Sequence, residues 1–183
     1  MNNKKRNTVF ILALLAFIVL GLYKGQAGKD LNKNMIFVKS DKKTFYDLDG
    51  RWILKDTQES IVIQDDQISF YMDDAIRDNS YRKADLKVYR ADEAIEIYEK
   101  NLGDFPKDRM DQALKDYKIG MEDFYLLEVS NQYLLDKNKS RKDLDDKNYY
   151  LVINAIMEED GKEEEVILFA DDLTKKTGLF IRK

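Results

Sequence analysis

LDGRWIL, residues 48–54, contains the chain's only tryptophan, and the reading of this stretch decides the fold. Trp52 stands two places after Gly50, at the head of the first regular strand expected of a folded domain. The chain has no histidine and no cysteine, so this indole does not sit beside an imidazole or thiol catalytic set. Its use is to be sought in the architecture.

Outward from Trp52 the hydrophobic pattern mostly has period two, the mark of strands with one buried face. RWILKD (51–56), ESIVIQD (59–65) and QISFYM (67–72) predict three strands, the last two joined by a tight hairpin at Asp65-Asp66. MIFVK (35–39) predicts a leading strand. YRKADLKVYR (81–90) predicts another, with Ala84, Leu86 and Val88 on one side. The period then changes. ADEAIEIYEKNL (91–102) places Ala94, Ile95, Tyr98 and Leu102 on one helical face behind an acidic first turn. FPKDRMDQALKDYKIG (105–120) repeats the pattern, with Pro106 at a helix start, Met110, Ala113, Leu114 and Tyr117 inward, and Gly120 placed to end it. Strands resume at 123–135, 148–158, 163–170 and 177–183, with turns expected at Asp160-Gly161 and around Asp171-Asp172.

The expected class is α+β, mostly β: an antiparallel meander with a two-helix insertion at about 91–118. A meander of this strand count protects its edges best by closing into a barrel. Gly50-Arg51-Trp52 at the first barrel strand resembles the Gly-x-Trp motif of lipocalins and related calycin barrels. That resemblance implies an indole plugging one barrel end, packed by a basic side chain from the last strand, for which Arg182 in GLFIRK is the candidate. A cation over an indole face contributes about 0.5–2 kcal/mol. The chain departs from the family pattern in the mid-meander position of its helices and in having no disulfide. If the 91–118 segment instead crosses an open, strongly curved sheet, a cone-like fold replaces the barrel, and Trp52 and Arg182 need not touch.

The N-terminus carries a different message. Lys4, Lys5 and Arg6 precede an uninterrupted apolar run, Val9 to Tyr23, which reads as an export segment with its basic end on the cytoplasmic side. Fifteen residues at helical rise cover about 22 Å, short of a bilayer core. Gly25-Gln26-Ala27 supplies the small-x-small spacing of a cleavage site, whereas Lys24 is able to snorkel and extend the span. Residues 1–27 are therefore either a signal peptide or a membrane anchor. No cysteine follows the run, which excludes lipid attachment through a lipobox. Residues 28–45 then form a linker and 46–183 a single β-rich domain, placed outside the cytoplasm, with a bacterial envelope as the better match for a cysteine-free exported chain.

Composition agrees with an ordinary folded domain: 44% hydrophobic, 11% aromatic, eight glycines and one proline. Of 31 basic residues five lie before Asp30, leaving 26 against 35 acidic ones in the exported part, a net charge of −9. Such a surface repels nucleic acid and other polyanions at long range.

Catalytic sets are thin. Ser40 to Lys43 and Ser80 to Lys83 fit Ser-x-x-Lys, and Lys176-Thr177-Gly178 fits its usual companion, but neither serine sits on an apolar helix of the kind that chemistry uses. DKNKSRKDLDDK (136–147) begins like a calcium loop with Asp136, Asn138 and Ser140, yet has Arg141 where glycine belongs and Lys147 where glutamate belongs, and reads as a solvated loop. No enzyme, cofactor or metal is expected. Two functions remain. One is a non-catalytic extracytoplasmic binding module, holding a small apolar ligand or a protein partner. The other is a membrane-anchored structural or assembly component of a cell-envelope machine, with a filled barrel and an apolar partner surface near Tyr98, Leu102, Phe105 and Tyr117.

Overall fold

In the computed structural model the described residues are 36–38, 48–71, 81–105, 107–144, 147–171 and 176–183. The first three hairpin strands form where the period-two pattern places them: β2 (Gly50–Leu54), β3 (Ser60–Gln64) and β4 (Gln67–Tyr71), after a short β1 (Ile36–Val38). Asp65, at φ 54°, turns β3 into β4 with Gln64 opposite Gln67. β5 (Tyr81–Arg90) runs into helix α1 (Ala91–Asn101), followed by α2 (Lys107–Asp116) and a single 3-10 turn, Met121–Asp123. β6 (Phe124–Leu135), β7 (Arg141–Leu144), β8 (Asn148–Glu159), β9 (Lys162–Asp171) and β10 (Lys176–Arg182) complete the chain. Asp160 and Gly161 both have positive φ, 52° and 75°, and close the two-residue hairpin between β8 and β9.

Eight of these strands close on themselves in the order β2-β3-β4-β5-β6-β8-β9-β10, every pair antiparallel. Two pairings make the ring. β6 meets β8 from Phe124↔Ile153 to Val129↔Asn148, and β10 meets β2 through Phe180↔Leu54, Ile181↔Ile53 and Arg182↔Trp52. The cone is thus excluded and the barrel forms. β6 and β8 are each 12 residues long and part company beyond their shared segment. The far end of β6 takes up β7, and the far end of β8 takes up β1.

The barrel wall separates two cores. Inside, all eight strands contribute, among them Trp52, Ile61, Ile63, Ile68, Phe70, Leu86, Leu127, Val152, Ile167 and Phe169. Outside, α1 packs on β5 and β6, and both helices share a second core in which Ala94, Tyr98, Met110, Ala113 and Tyr117 are buried with Leu126, Ile153, Met157 and Leu168. The consecutive apolar residues of β6 and β8 follow from this arrangement, because those strands are covered on both faces.

Two expectations need correction. Arg141–Leu144 is a strand, where the sequence reads as loop: four polar-rich residues pair with the backbone edge that β6 exposes once it leaves β8. Helix α2 ends at Asp116 and is closed by Lys118, not by Gly120. Lys118 takes the left-handed conformation, φ 55°, its N–H donating to Lys115 O and the next N–H, of Ile119, to Leu114 O, a Schellman closure built without glycine. Gly120 instead gives its N–H to the Asp123 carboxylate, 3.0 Å, at the start of the 3-10 turn. The expected export segment 1–27, most of the linker, Pro106 and the turn at Asp172 lie outside the described residues.

Candidate functional site: the two ends of the barrel

At one end, Gly50, Trp52 and Arg182 come together. Trp52 is fully buried and donates its indole N–H to the Leu48 carbonyl, 2.8 Å. Arg182, its cross-strand partner, holds its guanidinium 5.0 Å from the indole centroid. The same guanidinium donates to the Asp49 carbonyl and, through Nη1, to Glu165 Oε2 at 2.8 Å. Asn154 Nδ2 donates to the other oxygen of Glu165, 3.1 Å. The charge of a nearly buried carboxylate is thereby paired and hydrogen-bonded, which burial of an ion demands.

Gly50 has two reasons to be glycine. Its φ is +138°, where side chains are rarely accommodated, and a Cβ there would lie 3.3 Å from Arg182 Nε. The Gly-x-Trp spacing is therefore a steric rule for this chain: the first residue leaves room for the arginine and the third supplies the ring beneath it.

At the other end aromatic rings gather. Phe70, Tyr150, Phe169 and Phe180 form a connected cluster with centroids 4.9–6.3 Å apart. Arg82 lies 3.9 Å from the Phe70 centroid and donates to the Tyr150 hydroxyl, 3.2 Å. An eight-stranded barrel has room inside for its own side chains or for one small ligand. Here one end is occupied by Trp52 with its ion pair, the middle by aliphatic residues, and the other end by four aromatic rings under a guanidinium.

On the outer wall, Glu128 is the one deeply buried acid outside the barrel ends among the described residues. Its carboxylate accepts from Lys147 at 2.9 Å and from the hydroxyls of Tyr149 and Tyr89, 3.2 and 3.3 Å, with Lys87 at 3.7 Å. Burial alone would raise its pKa, but the hydrogen bond and charge of Lys147, with Tyr149 and Lys87, outweigh burial and hold it below the usual carboxylate range. All of its oxygens are engaged within the protein.

No protein-family model matches this chain, and no curated protein or solved structure is significantly similar to it.

The expected partner surface is corrected by burial. Tyr98, Phe105 and Tyr117 are 1, 9 and 6% exposed, and Leu102 packs partly buried beside them. Tyr98 meets Phe105 edge-on at 5.2 Å, and Phe105 meets Phe124 of the barrel wall at 5.6 Å. The amphipathic face that suggested docking is satisfied by the chain's own barrel. Asp136, the first residue of the calcium-like stretch, spends its Oδ1 on the backbone N–H groups of Asn138 and Ser140, both 2.8 Å, and so closes the β6–β7 turn. Among the described residues no cluster of three or more acidic side chains is placed to hold a metal ion.

Glu165, Asn154, Arg82 and the aromatic cluster were missed by sequence reasoning. The signal existed for Glu165: in EEEVILFA it shares the inward parity of Ile167 and Phe169, an acid where a hydrophobe is expected.

Proposed function

We propose that the chain is a non-catalytic, extracytoplasmic binding module of lipocalin-like build, and that its partner is a protein met on the outer surface of the barrel. The observation that supports this reading is that side chains pack at both barrel ends, the Trp52–Arg182–Glu165 set at one and the Phe70, Tyr150, Phe169 and Phe180 cluster at the other. The lipocalin-like element of the reading rests on the closed eight-stranded barrel and on the contact of Gly50, Trp52 and Arg182 at one end of it. The extracytoplasmic element rests on residues 1–27, whose basic cluster and apolar run suit either a signal peptide or an anchor. No described helix is long and apolar enough to cross a membrane.

Packed side chains at both ends equally suit the second reading, an anchored assembly component of the envelope. The two readings separate on the fate of residues 1–27, read from the intact mass of the protein in membrane and medium fractions. The choice of a protein over a small ligand is tested by titrating the purified chain with a long-chain fatty acid and with an environment-sensitive apolar dye while following Trp52 fluorescence. The expected result is no saturable binding at micromolar concentrations. Stoichiometric binding would return the reading to a ligand carrier.

A further inference from the structure

Outside the closed ring, β1 fills a place that ring closure does not require. β8 pairs with β6 only as far as Ile153, and the following residues would stand as an open edge. β1 lies antiparallel along that edge, with Ile36 opposite Glu158, Phe37 opposite Met157 and Val38 opposite Ile156. The ring of Phe37 meets Tyr117 of the α2 end edge-on, centroids 4.7 Å apart, and packs on the outer core. Burial pushes the Tyr117 phenol far above its usual pKa, with Asp116 adding to the effect, so that ring stays neutral and serves as an apolar wall. Ile36, by contrast, is 50% exposed and makes little of its place.

We propose that the β8 edge at Ile156–Glu158, together with Tyr117, is a strand-addition site for an extended segment of a partner protein, and that β1 occupies it in cis. The inference rests on the reading of the chain as a protein-binding module and gives that module its surface. Strand addition draws affinity from main-chain hydrogen bonds and specificity from pockets that accept alternate side chains. Here the edge supplies the first and the Tyr117 wall supplies the second, sized for one aromatic residue.

Charge narrows the partner further. Glu158 faces Glu163 directly across the β8–β9 hairpin, and Glu164 faces Met157. Like charges directly opposed in a sheet are unfavourable, and a cation arriving beside them relieves the repulsion. The chain's own occupant has that chemistry, with Lys33 and Lys39 on either side of Met35–Val38 in sequence. The partner segment is thus an extended strand with a central aromatic residue and basic flanks. A tethered three-residue strand competes at an effective concentration of about millimolar, so a longer strand with the same pattern displaces it.

The test uses the full chain carrying Phe37→Ala and a synthetic peptide of residues 32–40, NKNMIFVKS. Amide hydrogen exchange at Ile156–Glu158 is expected to rise at least about tenfold in the variant, while β2 and β10 keep their protection. The peptide at low-millimolar concentration restores protection at those β8 amides, and the same peptide with alanine for its phenylalanine does not. Unchanged exchange in the variant, loss of protection that spreads into β2 and β10, or failure of the peptide to restore it each overturns the proposal. Such a failure removes this surface only; the choice between protein and ligand is decided by the fatty-acid and dye titration.

Discussion

Trp52 satisfies its one polar atom on the Leu48 carbonyl, which leaves its ring face to Arg182. Arg182 in turn holds the only cation on Glu165 among the described ion pairs. Arg182→Met is therefore expected to destabilise the fold by about 3 kcal/mol or more, because it strands a buried carboxylate. Denaturant unfolding followed by Trp52 fluorescence measures it, and Arg182→Met combined with Glu165→Gln should recover much of the loss. Arg182→Lys recovers less, since an ammonium cannot both stack on the indole and fork to a carboxylate and a carbonyl. Glu128 gives a pH prediction at the same scale. Its folded-state pKa is depressed, so its contribution is present above the ordinary glutamate range and is lost as pH falls through the folded value. Glu128→Gln should flatten the acid limb of stability against pH, read from melting temperatures between neutral pH and about pH 3.

Elements were legible in proportion to how much their own side chains decide them. β2 to β5 and both helices follow from period two and period 3.6, with boundaries within a few residues. β7 did not, because Arg141–Leu144 has no apolar alternation and its place is fixed by a backbone edge that only the register of β6 creates. The end of α2 escaped for a related reason: Gly120 is the better left-handed residue, yet the chain turns at Lys118. Lys118→Gly should accordingly stabilise the protein by about 0.5–1 kcal/mol, the relief of a left-handed side chain less the entropy that glycine adds to the unfolded chain. A rise in the thermal midpoint with an unchanged denaturant slope is the expected reading.

At the scale of the whole molecule, closure was legible because strand count and the Gly50, Trp52 and Arg182 positions agree on it. What covers the helices was not. An amphipathic face states that it must be buried and is silent on whether its own barrel or a partner buries it, and Tyr98, Phe105 and Tyr117 go to the barrel. The interior network was hidden for another reason: with 35 acids in the chain, Glu165 stands out only once strand parity turns it inward.

The account stands on the contact between the last strand and the strand that carries the tryptophan. Backbone NOEs in the isotopically labelled chain test it directly: cross-peaks linking Trp52 to Arg182 and Ile53 to Ile181, with slow amide exchange along both strands, are the predicted result. Absence of those cross-peaks, with Trp52 and Arg182 amides exchanging as free edges, would contradict the closed barrel.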